Sequence, residues 1–335
     1  MFAQIIAHGD IDGMVSAALL ISYHLKQDKQ FKYRIRFSQP YSLHHTLNLL
    51  ERVSGRIVYV LDISLDLEYW ETMRVLLSSI AMEAEVTWID HHPMTISHKE
   101  QLESIGIKVL AYPSPSTASL LKDLIPKTLD PEFSDNLVKL AELTDSPTPE
   151  PSLKKGNLST AAEILTGAIA LDPRDDELKR KIIESWVKKR ILVPEEAVIK
   201  FQDSEEKLKT LFKEAKNRII YESSNLRVID LRDIRVYGFS GRIASKQANL
   251  DQKIVLIAFR IGQDTVVITG RAPEDSPVNL LQVFTKLGRE WGVSGGGHYR
   301  AASLRIPASQ AERMIRQLIN ELETSTLAAR EESAN

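Results

Sequence analysis

Residues 86–93 have the sequence VTWIDHHP, in which a short apolar run ends in an aspartate and two histidines. Two other apolar runs end in the same kind of residue. The run RIVYVL (56–61) leads into Asp62, and FAQIIA (2–7) leads into HGDIDG (8–13). Short apolar runs bounded by polar residues are typical of buried strands. The three segments therefore predict three strands that each end in ionisable side chains.

Longer stretches with helical spacing of apolar residues separate these runs. One of them covers residues 14–25, and a fourth apolar run follows at 107–112. Alternating strands and helices predict the α/β fold class, with an N-terminal, doubly wound and mostly parallel sheet covered by helices. The first part of the chain therefore forms one predicted domain, with limits at 1–171.

The second half of the chain has a different composition and pattern of apolar residues. Residues 172–218 contain 24 charged side chains among 47 and no glycine, which predicts a helical linker that breaks near Pro194. Further on, apolar runs at 253–260 and 265–271 flank the turn Gly262-Gln263-Asp264, which is a hairpin signal. We expect a smaller, mixed α/β domain at 219–325 and a disordered tail at 326–335.

Composition excludes several classes of protein. The 335 residues are 43% hydrophobic and 26% charged, as in ordinary globular proteins, and the absence of cysteine excludes disulfides, thiolate metal sites and thiol nucleophiles. The net charge of −2 provides no overall basic field for nucleic acid. No apolar run reaches the ~18 residues of a membrane span, and MFAQIIAHGD lacks a secretory signal. We expect a cytoplasmic protein with no membrane partner.

The polar strand ends predict a metal site. The carboxyl ends of parallel strands share one edge of a sheet, so the ionisable residues that follow them should meet in one crevice. Crowded carboxylates repel one another unless cations bind them, and an Asp/His set without thiolates suits Mn²⁺, with Mg²⁺ or Fe²⁺ as alternatives. Two ions bridged by Asp62 fit this number of ligands better than one ion does. The predicted cluster consists of His8, Asp10, Asp12, Asp62, Asp90, His91 and His92.

A single aspartate at a strand end is more often a turn or helix-cap residue, but three successive strand ends of this kind favour a shared function. Histidines away from strand ends are different. For His24, His98 and the pair His44-His45 we expect ordinary surface and packing roles.

The segment GVSGGGHYRAA (292–302) is the second unusual feature. Three consecutive glycines, Gly295, Gly296 and Gly297, let backbone N–H groups approach an anion, and His298 and Arg300 add donors. The alternative is a flexible turn between a helix and a strand, and we favour a phosphate-binding loop. The segment also matches G-x-S-x-G, the nucleophile elbow of serine hydrolases. That elbow follows a strand and opens a helix, whereas here we expect a helix before the segment and a strand after it.

Together these motifs resemble the DHH phosphoesterase superfamily, in particular its branch with a DHHA1 domain. That branch contains RecJ-like exonucleases, nanoRNases, phosphoadenosine-phosphate phosphatases and cyclic-dinucleotide phosphodiesterases. The similarity covers nearly the whole chain in the family's order. The matching segments are HGDIDG (8–13), VLDIS (60–64), DHHP (90–93), TDS (144–146) and GGGHYRAA (295–302).

The resemblance implies a role for each of these residues. It implies that His8, Asp10 and Asp62 hold one Mn²⁺. Asp12, Asp62, His91 and Asp145 would hold the other. His92 would contact the scissile phosphate and Asp90 would orient the histidine pair. Substrate would bind Arg271, His298, Arg300 and the glycines 295–297.

Two departures separate the chain from nanoRNases. Ser294 and Ser303 stand where the family has glycines, and Thr144-Asp145 continues as Ser146-Pro147 instead of Thr-Gly. We therefore expect a hydrolase with two Mn²⁺ ions, or Mg²⁺, in which a metal-bound hydroxide cleaves phosphate esters of short oligonucleotides or small nucleotides. The alternatives are a RecJ-like single-strand exonuclease and a non-catalytic protein that binds nucleic acid or a cyclic dinucleotide. We also consider a homodimer, in which the partner is a second copy of the chain.

Overall fold

The computed structural model describes residues 2–50, 53–125, 130–145 and 156–334. The chain divides into two compact units between Phe201 and Gln202. The described part of the first unit contains the strands β1 (Phe2–His8), β2 (Lys32–Ser38), β3 (Ile57–Leu61), β4 (Glu85–Asp90) and β5 (Lys108–Ala111). They form one parallel sheet in the order β2-β1-β3-β4-β5.

Helices cover both faces of this sheet. Side chains alternate between the two faces along each strand, so each face presents apolar side chains for helices to cover. In β1, Ile5 packs into one core and Ile6 into the other. The doubly wound parallel sheet predicted from the sequence is therefore confirmed. The helices of the first unit are α1 (Ile11–Gln27), α2 (Leu43–Asn48), α3 (Trp70–Ala81), α4 (Pro93–Ser97), α5 (Lys99–Glu103), α6 (Thr117–Leu124), α7 (Pro131–Asp145), α8 (Asn157–Leu171) and α9 (Asp176–Glu184).

Strand β2 is absent from the sequence-based prediction. Its sequence, KYRIRFS, places charged residues at alternate positions, and only Ile35 and Ser38 are buried. It lies at the edge of the sheet and pairs with β1 alone, with Phe2 opposite Lys32. A strand that is buried on one side only carries too few apolar residues to give a continuous apolar run.

Part of the predicted linker belongs to the first unit. Leu178, Ile182 and Trp186 are buried in the same core as β1 and α1. Helix α9 shows strict amphipathic spacing, and a π-helical turn, Ser185–Lys189, continues it. Helix α10 (Glu195–Lys216) then extends past the point of division. The high charge of residues 172–201 therefore reflects the solvent face of packed helices.

The second unit has a mixed sheet, and in its described part β7 and β8 are the parallel pair. The order is β10-β11-β9-β8-β7-β6. Helices α12 and α13 pack on one face. The elements are β6 (Ile219–Glu222), β7 (Leu226–Asp230), α11 (Ser240–Asp251), β8 (Ile254–Ile261), β9 (Thr265–Arg271), α12 (Leu280–Trp291), β10 (Ser294–His298), β11 (Ala301–Pro307) and α13 (Ala311–Ala334).

Three features of this unit bear on the predictions. The hairpin around Gly262 is confirmed as β8 and β9, which pair antiparallel. The glycine segment is not a loop: it forms strand β10 at the sheet edge, because its backbone pairs with β11. The predicted disordered tail is helical, since α13 continues to Ala334 and Thr326 is buried. Among the described helices, none has the length and apolar composition needed to span a bilayer.

Candidate functional site

The strand ends of the first unit bring together the residues that the sequence singled out. His8 ends β1, Asp62 follows β3, and Asp90 ends β4. Three overlapping groups place one potential ligand atom of each member within 4.8 Å of the others. The groups are His8, Asp10 and Asp62; Asp62, His91 and His92; and Asp12, His91 and Asp145. Asp62 and His91 each belong to two groups, and no group found among the described residues includes His24, His44, His45 or His98.

Asp62 occupies the centre of this arrangement. Its Oδ2 lies 3.8 Å from Nδ1 of His8, and its Oδ1 lies 3.7 Å from Nε2 of His91. Its φ of 59° is in the left-handed region, which non-glycine residues rarely adopt. A hydrogen bond of 3.0 Å from its N–H to the carbonyl of Ile89 holds this conformation. Such backbone strain is concentrated at functional sites.

The carboxylates of Asp62 and Asp12 are buried and crowded by other carboxylates of the cluster. Burial, and then the charges of Asp12 and Asp10, raise the pKa of Asp62 well above its usual value. Burial and the charge of Asp145 raise the pKa of Asp12 to about 6. These shifts mean that the negative charges are held together at a free-energy cost that cations would relieve.

The histidines respond in the opposite direction. Burial alone would lower the pKa of His8, but the neighbouring Asp10 carboxylate raises it to about 9. Burial likewise opposes the rise for His91, and the neighbouring carboxylates of Asp145 and Asp12 bring its pKa to about 9. Each imidazole therefore experiences the strong negative potential of the cluster.

The residues fit bound divalent cations. Nε2 of His91 and Oδ2 of Asp145 are buried and 3.1 Å apart, but neither has a hydrogen-bond partner. Buried polar atoms are normally satisfied, so unsatisfied lone pairs at one point favour a bound cation. Five carboxylates and three imidazoles without a thiolate are a donor set for Mn²⁺ or Mg²⁺.

Asp90 and His92 form a pair beside this cluster. Asp90 is fully buried, and its Oδ1 lies 2.7 Å from Nδ1 of His92. Burial would raise the pKa of Asp90, but the hydrogen bond and charge of His92 lower it overall. Asp90 thereby fixes the orientation of the His92 ring. Ser146 and Pro147, which follow Asp145, lie outside the described residues.

The segment after β5 supports the cluster, although nothing in the sequence-based reasoning singled it out. The N–H groups of Thr117 and Ala118, at the start of α6, donate to the two oxygens of Asp12 at 2.7 and 2.9 Å. The hydroxyl of Thr117 donates to Oδ1 of Asp62 at 2.9 Å. Nδ1 of His91 lies 3.0 Å from the carbonyl oxygen of Ser114. A fourth strand end therefore contributes to the site through hydrogen bonds to the proposed ligands.

The first motif is held by local and distant contacts. Asp10 caps helix α1 by accepting a hydrogen bond of 3.0 Å from the N–H of Gly13. A Cβ at Gly13 would lie 2.4 Å from the carbonyl oxygen of His8, so this turn requires glycine. Nε2 of His8 lies 2.9 Å from Oε1 of Gln39, which leaves Nδ1 facing Asp10 at 2.7 Å.

Lys179 of helix α9 is buried against the same motif. Its ammonium donates to the carbonyl of Pro173 at 2.7 Å and to Oδ1 of Asp176 at 3.2 Å. A Cβ at Gly9 would lie 2.8 Å from Nζ of Lys179, so the two residues pack closely. Sequence reasoning missed this residue because it lies in the segment that we predicted to be a linker.

In the second unit, hydrogen bonding brings the predicted substrate residues to one end of the sheet. His298 is opposite Ala301 in the β10–β11 pair, and Ala301 is opposite Arg271 in the β11–β9 pair. The N–H of Ala272 donates to the carbonyl of Arg300 at 2.9 Å. Arg271, His298 and Arg300 are thus neighbours across three adjacent strands.

The glycines of β10 are explained mainly by close packing. A Cβ at Gly295 would lie 2.3 Å from Cδ2 of Leu304. Gly297 has a φ of 142°, and a Cβ there would lie 2.1 Å from the carbonyl oxygen of Ala301. Gly296 is different, because no heavy atom lies within 4 Å of its Cβ position. Of the three, only Gly296 has open space over it in the described structure.

Arg271 is a partly buried cation. Its Nη1 donates to Oγ1 of Thr269 at 3.2 Å and to the carbonyl of Gly270 at 2.9 Å. Burial lowers the pKa of its guanidinium to about 10, and no carboxylate of the described residues forms an ion pair with it. Nη2 packs against Gly241 at the start of α11. A partly buried guanidinium with no paired carboxylate is suited to binding an anion.

Known structures share this architecture, although no protein-family model and no curated protein matches the sequence. The pGpG-specific phosphodiesterase PggH from Vibrio cholerae aligns over 97% of this chain and 100% of its own, with 18% identity and a TM-score of 0.56. The DHH domain of a member of a ribosomal-protein family aligns over 96% of this chain and 86% of its own, with 17% identity and a TM-score of 0.65.

RecJ from Thermus thermophilus, in complex with Mn²⁺, aligns over 95% of this chain but 51% of its own, with 14% identity and a TM-score of 0.60. The chain therefore spans about half the length of RecJ. These similarities, with the parallel and mixed sheets described above, show that the chain shares the fold of these structures, one of which is a DHH domain.

Proposed function

We propose that the protein is a phosphoesterase with two Mn²⁺ ions that hydrolyses phosphodiester or phosphomonoester bonds in short oligonucleotides or small nucleotides. The observation that carries this proposal is the overlap of three ligand groups through Asp62 and His91. Overlapping groups at a sheet edge are what a pair of neighbouring divalent cations requires. A single structural cation would not need shared ligands.

The proposed ligands divide between the two ions. His8, Asp10 and Asp62 would hold one, and Asp12, Asp62, His91 and Asp145 the other. Such ions, when bound, supply an activated water and stabilise negative charge on phosphoryl oxygens. Asp90 holds Nδ1 of His92, which leaves Nε2 to contact a phosphate oxygen of the substrate. Thr117 keeps two of the carboxylates in place through its N–H and hydroxyl groups.

The second unit would bind the substrate through Arg271, His298, Arg300 and the backbone of residues 295–297. The partly buried guanidinium of Arg271 and the open space over Gly296 support phosphate binding there. Phosphate oxygens suit a fixed guanidinium because they accept two N–H donors in one plane. We propose this subsite for the terminal nucleotide or phosphate of the substrate.

Small substrates are favoured over long single strands. PggH, which aligns over its full length, is a pGpG-specific phosphodiesterase, whereas RecJ is about twice as long as this chain. A net charge of −2 also gives little support for salt-dependent binding along a nucleic-acid backbone.

The experiment is a hydrolysis assay with Mn²⁺, and separately with Mg²⁺, against a panel of substrates. The panel contains RNA and DNA of two to five nucleotides, phosphoadenosine phosphate, cyclic dinucleotides, pyrophosphate and longer single strands. We expect turnover of a short nucleotide substrate and none by the Asp62→Asn variant. Preferred cleavage of long strands would favour a RecJ-like exonuclease instead, and tight binding without product would favour a non-catalytic sensor.

A further inference from the structure

Tyr299 is an exposed aromatic residue next to the proposed phosphate-binding side chains. Residues 299 and 300 form the two-residue turn between β10 and β11, because His298 pairs with Ala301. Tyr299 is 42% exposed, although large aromatic residues are usually buried for most of their surface. Its position between His298 and Arg300 in the chain places it at the same end of the sheet as Arg271.

Two hydrogen bonds hold Tyr299 in place. Its hydroxyl donates to the carbonyl of Pro277 at 2.9 Å, and its own carbonyl accepts from the N–H of Leu280 at 2.8 Å. The ring is therefore anchored at its tip and at its backbone. An aromatic ring that is fixed before binding loses little conformational entropy when a ligand packs on it.

The contacts of the Tyr299 ring differ from those of Tyr112, the other tyrosine among the strongly exposed residues. No other ring and no cation of the described residues packs on Tyr299, whereas Lys99 covers the similarly exposed Tyr112 with its ammonium 4.5 Å from the ring centre. A fixed, exposed aromatic ring beside cationic donors is the combination that binds a nucleobase and its phosphate together. The hydrogen bond to Pro277 alone does not require an exposed ring face.

We propose that Tyr299 is a stacking platform for one nucleobase of the substrate, so that the protein selects base-bearing nucleotides over base-free phosphate compounds. This inference rests on the proposed function and specifies the substrate class of that site. Stacking tolerates every base because each has a π-face, and purines offer the larger surface. The phosphate of the same nucleotide would meet His298, Arg300 and Arg271.

The test compares two substrates that differ only in one base: a purine dinucleotide, and the same dinucleotide with its terminal base replaced by hydrogen. Steady-state kinetics with Mn²⁺ are measured for the wild type, Tyr299→Leu and Tyr299→Phe. Removing a stacking ring typically weakens binding of a base by about 5- to 160-fold. We expect Tyr299→Leu to raise KM for the complete dinucleotide by a factor in this range without changing KM for the abasic one. Tyr299→Phe should stay close to the wild type.

Tyr221→Leu is the matched control, since it removes a tyrosine whose hydroxyl is also hydrogen-bonded, to Glu323, from β6 at the opposite edge of the same sheet. Its ratio of the two KM values should equal that of the wild type. An equal rise of both KM values in Tyr299→Leu, or no rise in either, would overturn the stacking role.

Binding without turnover separates this inference from the proposed function. In the Asp62→Asn background, the dissociation constants of both dinucleotides are measured by calorimetry. If the wild type cleaves neither dinucleotide but binding still depends on Tyr299 and the base, the stacking role stands and the hydrolase proposal is wrong. If cleavage occurs with no difference between the two dinucleotides, the reverse holds.

Discussion

The hydroxyl of Thr117 donates a hydrogen bond of 2.9 Å to Oδ1 of Asp62, the carboxylate that two ligand groups share. The N–H of the same residue donates to Asp12 at 2.7 Å. One residue at the start of a helix thus holds carboxylates that follow two different strands. Residues that orient ligands in this way commonly contribute 10- to 100-fold to metal affinity, as an order of magnitude.

Thr117→Val should weaken Mn²⁺ binding by about 10- to 100-fold, because it removes the hydroxyl donor and keeps the shape and the N–H of the residue. Electron paramagnetic resonance of free Mn²⁺ during a titration measures this affinity. Thr117→Ser restores a hydroxyl and should recover most of it. Equal affinities in the valine variant and the wild type would show that the hydrogen bond to Asp62 is irrelevant to the metal site.

Asp62→Asn should reduce turnover by orders of magnitude while the protein stays folded. The substitution removes one negative charge from a crowded, buried cluster, so the metal-free variant should unfold at the same temperature as the wild type or above it. Circular dichroism and calorimetry in the presence of a chelator check the fold. Normal turnover would contradict the bridging role, and a lower unfolding temperature would mean that Asp62 stabilises the metal-free fold.

Mn²⁺ should raise the unfolding temperature of the wild type, and a chelator should reverse the rise. A ligand at 100 times its dissociation constant adds about 2.7 kcal/mol to the free energy of unfolding when it binds the folded state alone. Differential scanning calorimetry at several Mn²⁺ concentrations gives the measurement. Asp12→Ala, which removes a proposed ligand, should show a smaller shift, and an equal shift in both proteins would place the ion elsewhere.

Gly296 and Gly297 should differ in their tolerance of alanine. Gly297→Ala should lower the free energy of unfolding by about 2–5 kcal/mol, because of its φ of 142° and the contact of 2.1 Å with the Ala301 carbonyl. Gly296→Ala should change it by less than about 0.5 kcal/mol, since the position is open. Chemical denaturation measures both. If Gly296→Ala also leaves the KM for nucleotide substrates unchanged, close approach of a phosphate to this strand is excluded.

Protonation of His24 should lower the free energy of unfolding in mild acid. His24 is buried, stacks on Phe31 with the ring centres 4.4 Å apart, and lies 2.9 Å from the hydroxyl of Tyr59. Burial lowers its pKa below 6.5, so the unfolded state binds the proton more readily and stability is lost as the pH falls below that value. The rings that contact His24 belong to Tyr23, Phe31 and Tyr59. None of these three side chains is a carboxylate that would stabilise the charged imidazole.

The measurement for His24 is the free energy of unfolding at pH 7 and at pH 5. His24→Phe keeps an aromatic ring on Phe31 and removes the titrating group, so it should lose less stability between these two pH values than the wild type does. Identical losses would assign the acid sensitivity to other groups.

The sequence was sufficient to predict the doubly wound sheet and the residues at its strand ends. Three apolar runs followed by ionisable residues predict parallel strands, and the edge that they share follows from topology alone. Edge strand β2 was not predictable from apolar runs, because charged residues alternate along it. The strand made of glycines was expected to be a loop, since its pairing depends on the register with residues 301–305 and not on its own composition.

The supporting residues of the candidate site could not be predicted. Thr117 and Asp12 are 105 positions apart, and the contact between them uses a backbone N–H that any residue except proline possesses. Gln39 and Lys179 likewise touch the first motif from distant segments. Asp145 ends a helix, so no strand-end pattern marks it, and only the family resemblance suggested its role.

The burial of Lys179 against Gly9 has a consequence for co-translational folding. The two residues are separated by about 170 positions, which take roughly 10–35 seconds to translate at ordinary elongation rates. Until helix α9 emerges, the nascent first unit lacks Leu178, Ile182 and Trp186 from its core. The candidate metal site is therefore completed late, by one of the last segments of its own unit to be synthesised.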